Sequence, residues 1–109
     1  MSCVFCDLIK SRKDWVYETE RSCCFPDIMP ASDIHLLIVP KIHIESLSCV
    51  DQENSSYITD IFEAIPKIAR KFDMKSYRLV SNTGPLAGQS VNHIHFHILG
   101  GRSFAWPPG

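Results

Sequence analysis

The chain has 109 residues, a formal net charge of −1, 45% hydrophobic residues and 21% charged residues, a composition typical of one globular domain. The near-neutral charge and the lack of a Lys/Arg run argue against a nucleic-acid-binding surface, and no apolar stretch approaches the ~18 residues of a membrane span. The first residues lack the basic and apolar regions of a signal peptide, so we expect a cytoplasmic protein. We expect one domain over 1–109, with 102–109 as a C-terminal tail.

The first half of the chain predicts one short helix and three strands. Hydrophobic spacing indicates a helix over 3–10 and short strands over Val16–Thr19 and Ser22–Pro26. The third strand, His35–Val39, has the sequence of a strand buried on both faces, and it ends at Pro40.

One long helix is predicted over 51–73, because apolar residues recur there with the helical period. These residues are Ile58, Ile61, Phe62, Ile65, Ile68, Ala69 and Phe72. Ser48, followed three residues later by Asp51, predicts the N-terminal cap. Pro66 predicts a kink, because it removes one helical hydrogen bond.

The last third of the chain predicts a strand over Tyr77–Asn82, a loop over Thr83–Val91 and a strand over Asn92–Leu99. Five strands and two helices without regular βαβ alternation predict an α+β fold with a mainly antiparallel sheet.

Three histidines, His93, His95 and His97, alternate along the last predicted strand. Second neighbours on a strand lie about 6.6 Å apart on one face, so the imidazoles share a face while the apolar residues between them enter the core. Imidazole, with an ordinary pKa of about 6.5, is available at pH 7 as a nucleophile and, when protonated, as an acid. The alternative is a histidine-rich surface strand that binds metal by chance.

The loop before the histidines contains glycines and polar side chains. Gly88 allows the backbone to turn its N–H groups toward an anion, and Gln89 and Ser90 add donors. Because this loop leads directly into the histidines, we interpret it as a candidate phosphate cradle. A plain turn is the alternative.

The five cysteines are expected to be thiols or metal ligands rather than disulfides in a cytoplasmic protein. Cys3 and Cys6 have the spacing of a zinc-binding pair, which needs two further ligands. His43 and His93 would complete a Cys₂His₂ set; otherwise the pair is two ordinary thiols on a short helix. The other three are expected in the core: Cys23, Cys24 and Cys49.

Two further segments have a functional and a plain interpretation. Asp27 ends a strand among apolar residues, where a carboxylate can bind a ribose diol or form a turn. The tail contains Trp106 beside Pro107-Pro108, which favours an extended segment, docked on its own subunit or a partner, or else a frayed terminus.

The histidine segment, His93-Ile-His95-Phe-His97-Ile-Leu, resembles the signature of the histidine triad (HIT) superfamily. Gly88-Gln-Ser90-Val and the terminal Trp106-Pro-Pro-Gly109 resemble its Hint branch, whose members are purine nucleoside phosphoramidases. The resemblance spans nearly the whole chain and includes Phe25-x-Asp27-Ile28 and Val39-Pro-Lys41-x-His43-Ile44. It implies a HIT-like fold with a five-stranded antiparallel sheet, one long and one short helix, and a homodimer that joins two sheets into ten strands.

The resemblance also implies roles for individual residues. His95 matches the nucleophile, while His97 and Ser90 match residues that contact the phosphate and protonate the leaving group. Asp27 matches the ribose-binding carboxylate, and His35 matches a supporting histidine near the site. Further phosphate-site matches are Asn82, Gly88 and Gln89, and the apolar purine slot matches Phe5, Leu8, Phe25 and Ile28.

Relatives that share the Cys-x₂-Cys pair bind structural zinc, which implies the same for Cys3, Cys6, His43 and His93. Trp106 is expected near the leaving-group pocket of the partner subunit. The implied reaction is hydrolysis of the phosphorus–nitrogen bond of purine nucleoside 5′-phosphoramidates, without a catalytic metal. The alternatives are another HIT activity, such as dinucleoside polyphosphate hydrolysis or nucleotidyl transfer, and a nucleotide-binding adapter with little turnover. His97 argues against the transferases, which have glutamine at the last triad position.

Overall fold

The computed structural model describes residues 3–109 and confirms the predicted α+β fold. Its main elements are α1 (Val4–Ser11), β1 (Tyr17–Glu18), β2 (Ser22–Pro26), β3 (Ile34–Pro40), α2 (Ser55–Lys71), β4 (Tyr77–Val80) and β5 (Phe96–Gly100). Within these residues, neither helix has the length and apolar character needed to cross a bilayer.

The five strands form one antiparallel sheet in the order β1-β2-β3-β5-β4. The last strand of the chain is therefore inserted between β3 and β4, and β4 lies at an edge. Leu37 of β3 and Val80 of β4 are both paired with His97. This register places a histidine in the middle of the sheet.

The two helices cover opposite faces of the sheet. Because side chains alternate along each strand, the core is divided into two clusters, one on each face. The α2 face holds the larger core cluster, which includes Leu36, Ile38 and Ile98. The α1 face holds a smaller cluster, which includes Phe5 and Leu37. The residues between the histidines pack in the larger cluster, so the imidazoles lie on the α1 side.

Strand β5 begins at Phe96, four residues later than predicted, and β4 ends at Val80 instead of Asn82. Just before β5, the Ile94 N–H donates to the Ile44 carbonyl, 2.6 Å away, in the segment after β3. Because of this bond, the residues before Phe96 do not continue the regular hydrogen-bond ladder of β5. Their side chains still alternate between the two faces of the sheet as far back as His93.

Helix α2 begins at Ser55, and the predicted cap is wrong. Ser48 lies in a short 3₁₀ turn, while the Asp51 carboxylate accepts the N–H groups of Glu53 and Asn54 at 2.9 and 3.1 Å. Asp51 therefore forms a separate turn before the helix. The helix continues through Pro66.

Two residues predicted for the core are exposed. Phe62 follows the helical period, yet it is 52% exposed and contacts Phe96 edge-on at 5.5 Å between ring centroids. Cys49 is exposed in the 3₁₀ turn, whereas Cys23 and Cys24 are buried as predicted.

Candidate active site and metal centre

A cleft of about 480 Å³ opens beside α1, at the end of β2 and over β3 and β5, a size that suits a small-molecule ligand. It brings together most of the predicted site residues: Phe5, Leu8, Phe25, Asp27, Ile28, His35, Ser90, His95 and His97. The predicted residues Asn82, Gly88, Gln89 and Trp106 do not line it.

Sequence reasoning missed five lining residues: Val4, Pro26, Met29, Leu37 and Val91. The sequence pattern could have identified two of them. Val4 lies one helical turn before Leu8, so the two share a face of α1. Leu37 lies two residues after His35 on β3, so strand alternation places it on the same face.

His95 has its Nδ1 atom 2.8 Å from the His93 carbonyl oxygen. A carbonyl can only accept, so Nδ1 carries the hydrogen and Nε2 of the neutral ring keeps its lone pair. Phe5 contacts this ring edge-on, 5.0 Å between centroids. The backbone and α1 thus hold His95 as a potential nucleophile at Nε2.

His97 has the opposite tautomer, set by His35. The Ala31 N–H donates to His35 Nδ1 at 2.9 Å, so the hydrogen of the His35 ring is on Nε2. This Nε2–H donates to His97 Nδ1 at 2.8 Å. His97 therefore carries its own hydrogen on Nε2 and can donate it into the cleft.

The pKa of His97 is lowered, first by burial and then by the neighbouring imidazoles of His95 and His35. The ring centroids of His95 and His97 are 5.0 Å apart. The ring therefore stays neutral at pH 7, which preserves the tautomer that the hydrogen bonds select.

The Asp27 carboxylate forms a turn and also lies close to two histidines of the cleft. Its Oδ1 atom accepts the Met29 N–H at 2.8 Å and so forms a turn. Its Oδ2 atom lies 3.3 Å from His35 Nε2 and 3.9 Å from His97 Nδ1. These three side chains also have the composition of a metal triad, but the His35–His97 hydrogen bond already uses the lone pair of His97 Nδ1.

The loop before the histidines is organised mainly by its own hydrogen bonds. The N–H groups of Ala87 and Gln89 donate to the Gly84 carbonyl, and that of Gly88 to the Pro85 carbonyl. Gly88 has a φ of +97°, which glycine adopts without strain. These three amides do not form the cradle that the sequence suggests. Among the described residues, the Ser90 hydroxyl at the cleft has no hydrogen-bond partner.

The Gln89 side chain links three backbone positions by hydrogen bonds. Its Oε1 atom accepts the Gly84 N–H at 2.9 Å, and its Nε2 atom donates to the carbonyls of Glu45 and Val91 at 2.8 and 3.1 Å. The side chain therefore fixes the loop instead of pointing a donor at the cleft. Asn82 lies behind it, near Gly88.

The four predicted metal ligands meet at the start of α1, with all ligand atoms within 4.8 Å of one another. His93 Nδ1 lies 3.4 Å from the Sγ atoms of both Cys3 and Cys6, and His43 Nδ1 lies 3.4 Å from Cys6 Sγ. Two thiols and two imidazoles form the donor set that tetrahedral zinc prefers.

Two features of this cluster fit a bound cation. His93 Nε2–H donates to the Pro40 carbonyl at 3.0 Å, which directs the Nδ1 lone pair toward the thiols, as in metal-bound histidines. Burial and the Cys3 thiol raise the pKa of Cys6 to about 11, so a cation bound by this sulfur would have to displace its proton. Burial also lowers the pKa of His93, which keeps that ring neutral.

The tail contacts the rest of the same chain as far as Ala105. The guanidinium groups of Arg78 and Arg102 lie 5.0 and 4.3 Å from the centroid of the Phe104 ring. Arg78 also donates to the Ala105 carbonyl at 3.0 Å. Trp106, which follows, is 81% exposed and stands outside the cleft of its own subunit.

The sheet, the two helices and the cleft together define an α+β protein with a cluster of histidines beside an apolar slot. A family model described as the HIT domain matches residues 10–104, and the chain belongs to this histidine triad family.

Individual relatives agree with this assignment. An uncharacterized HIT-like protein of Synechococcus elongatus is 40% identical over 97 residues, which are 88% of this chain and 85% of that protein. A HIT family hydrolase from Legionella pneumophila superposes with a TM-score of 0.92 at 38% identity, covering 99% of this chain and 100% of that one. Another, from Clostridium thermocellum, has a TM-score of 0.91 at 40% identity and covers 95% and 94%.

The lowered pKa of His97 predicts a pH dependence of stability. Below its ordinary pKa of about 6.5, the unfolded chain binds a proton that the folded ring resists, so the free energy of unfolding falls as pH decreases. In His97→Asn, the amide oxygen can still accept from His35, but the group does not titrate. We expect the wild type to lose more stability than this variant between about pH 7.5 and pH 5 in urea denaturation; equal losses would contradict the prediction.

Proposed function

We propose that the protein hydrolyses the phosphorus–nitrogen bond of purine nucleoside 5′-phosphoramidates. The observation that carries this proposal is the pairing of complementary tautomers in one cleft: His95 has a lone pair on Nε2, and His97 has a hydrogen there. A nucleophile beside a hydrogen-bond donor can form a bond to phosphorus while the donor stabilises the charge that develops on the phosphoryl oxygens. The two hydrolases among the structural neighbours support a hydrolytic reaction.

The rest of the cleft suits a nucleoside. Phe5 and Phe25 provide an apolar wall for a purine ring, with centroids 5.6 Å apart. The Asp27 carboxylate lines the same cleft, with Oδ2 3.3 Å from His35 Nε2, and it can accept hydrogen bonds from ribose hydroxyls. Ser90 is the side chain that we assign to the phosphate, because it lines the cleft beside the histidines.

The reaction proceeds in two displacements. His95 Nε2 attacks phosphorus and forms a nitrogen–phosphorus bond, while the bond to the amine breaks. The amine nitrogen takes a proton from solvent before it departs and so leaves as a neutral amine, while His97 Nε2–H donates a hydrogen bond to a phosphoryl oxygen. Water then attacks the nucleotidyl-histidine and releases the mononucleotide, neutral His95 and one proton to solvent. The nucleophile is an imidazole, so the reaction as proposed requires no catalytic metal.

His95→Ala tests this mechanism. We expect turnover of an adenosine phosphoramidate to fall by about three or more orders of magnitude, because the attacking atom is removed. Affinity for the plain mononucleotide, measured by calorimetry, should remain close to wild type, since the slot and Asp27 are unchanged.

Three other outcomes would overturn the proposal. Near-normal turnover by His95→Ala would exclude the covalent mechanism. Faster hydrolysis of dinucleoside polyphosphates than of phosphoramidates by the wild type would favour the other HIT activity. Tight nucleotide binding with no turnover would favour an adapter.

We also infer that Cys3, Cys6, His43 and His93 bind one structural zinc ion per subunit. The support is the donor set and the spacing of its ligand atoms. The ion would join the start of α1 to the segment before β5, and it would supply no chemistry in the cleft.

The zinc proposal is tested with the double variant Cys3→Ser, Cys6→Ser. Elemental analysis of wild-type protein purified without chelator should find about one equivalent of zinc, and the variant should find none. The variant should melt about 5 °C or more below wild type while keeping measurable catalysis. Cys49→Ser, which alters an exposed thiol, is the matched control. Wild-type protein that carries no metal and does not respond to added zinc would contradict the proposal.

We propose further that two subunits pair through the edge strand β4. Tyr77 and Leu79 of this strand are 40% and 38% exposed. Phe62 of α2 is a further exposed aromatic side chain. Unpaired N–H and C=O groups at a sheet edge favour pairing with a second strand. In such a dimer, Trp106 would reach the partner's leaving-group pocket.

Deletion of residues 104–109 tests the role of the tail. We expect discrimination between bulky and small amine leaving groups to change more than affinity for the mononucleotide, because Trp106 would contact the amine. The dimer should persist in light scattering. Proportional losses for both amines would contradict this role, and a monomeric truncated protein would instead make the tail a dimerisation element.

A further inference from the structure

A second cavity, the polar cavity, opens next to the cleft and has a volume of about 550 Å³. The two cavities share Ser90, while His95 and His97 line only the cleft. The polar cavity is lined mainly by carboxylate, hydroxyl and amide side chains, including those of Glu45, Ser48, Thr83 and Asn92. Its chemistry therefore differs from that of the apolar purine slot.

Gln89 lines the polar cavity and links two of its segments. This side chain connects the loop at Gly84 to the backbone of Glu45 through hydrogen bonds of 2.9 and 2.8 Å. Glu45 is thereby fixed at the rim of the polar cavity, although it is far from the loop in sequence.

Glu45 is the charged residue of the polar cavity, and it is unpaired. No Lys, Arg or His within residues 3–109 lies within ion-pair distance of its carboxylate. The other side chains around it offer oxygen acceptors. A ligand that brings a positive charge and several N–H donors would satisfy this surface, whereas an anion would be repelled.

We propose that the polar cavity receives the amine leaving group and that Glu45 makes the enzyme select amines that carry a second positive charge. This inference rests on the proposed phosphoramidase function and adds the leaving-group class. An attacking group and a leaving group on phosphorus lie roughly in line. His95 attacks from the cleft, and Ser90 separates the cleft from the polar cavity, so an amine departing away from His95 passes Ser90 toward Glu45.

The test uses two adenosine 5′-phosphoramidates of equal chain length. In one, the leaving group is a diaminoalkane whose distal amine is protonated at pH 7, because its pKa is about that of lysine; in the other, a hydroxyl replaces the distal amine. We expect wild-type kcat/KM to be about threefold to fivefold higher for the charged substrate, the upper end of what an exposed ion pair contributes, and the preference to shrink at high salt.

Glu45→Gln should abolish this preference, and Glu45→Lys should reverse it. Glu45→Gln should bind the plain mononucleotide within about twofold of wild type, because that ligand has no amine and the variant adds no positive charge. Glu20→Gln, which neutralises an exposed acid in the turn between β1 and β2, is the matched control and should keep the wild-type preference.

The remaining outcomes each overturn a distinct statement. Equal efficiency for the two substrates in wild type and in Glu45→Gln overturns the selection by Glu45 and leaves the phosphoramidase proposal standing. A loss in Glu45→Gln that is equal for both substrates makes Glu45 a structural residue and also overturns the selection. Failure of the wild type to cleave either substrate overturns the phosphoramidase proposal, and this inference with it.

Discussion

The arrangement of the site depends on His93, a fully buried imidazole whose polar groups are each engaged. Its Nε2–H binds the Pro40 carbonyl, its Nδ1 faces the two thiols, and its own carbonyl accepts the Nδ1–H of His95. Burial of an unpaired imidazole would be costly, so these contacts leave the ring a single orientation. The same residue therefore orients the candidate metal-binding cluster and the Nε2 lone pair of His95.

Helix α1 connects these two places. Phe5 contacts the rings of both His93 and His95, while Cys3 and Cys6 lie at the start of the same helix. The long helix α2 covers the opposite face of the sheet, with its buried residues in the larger core. We therefore expect changes in α2 to affect stability first, whereas changes in α1 affect the Cys–His cluster and the cleft together.

Much of the fold and of the site follows from local sequence patterns. Strand alternation predicts that His95 and His97 face away from the core, and cysteine spacing with His43 and His93 predicts the metal ligands. The function of Gln89 was not predictable, because it depends on contacts with Glu45 and Gly84 that arise only in the folded chain. The start of α2 was also misplaced, since Asp51 forms a turn of its own, and Cys49 is exposed because it lies in the preceding 3₁₀ turn.

The hydrogen bond from Ala31 to His35 limits how the site can exchange protons. A backbone amide does not give up its hydrogen at neutral pH, and here it occupies His35 Nδ1. The hydrogen bonds that link His97, His35 and Ala31 end at this amide. They therefore give a proton on His97 no route to solvent. His97 must exchange its proton through Nε2, on the side of the cleft. A ligand bound in the cleft would therefore control the access of solvent to that proton.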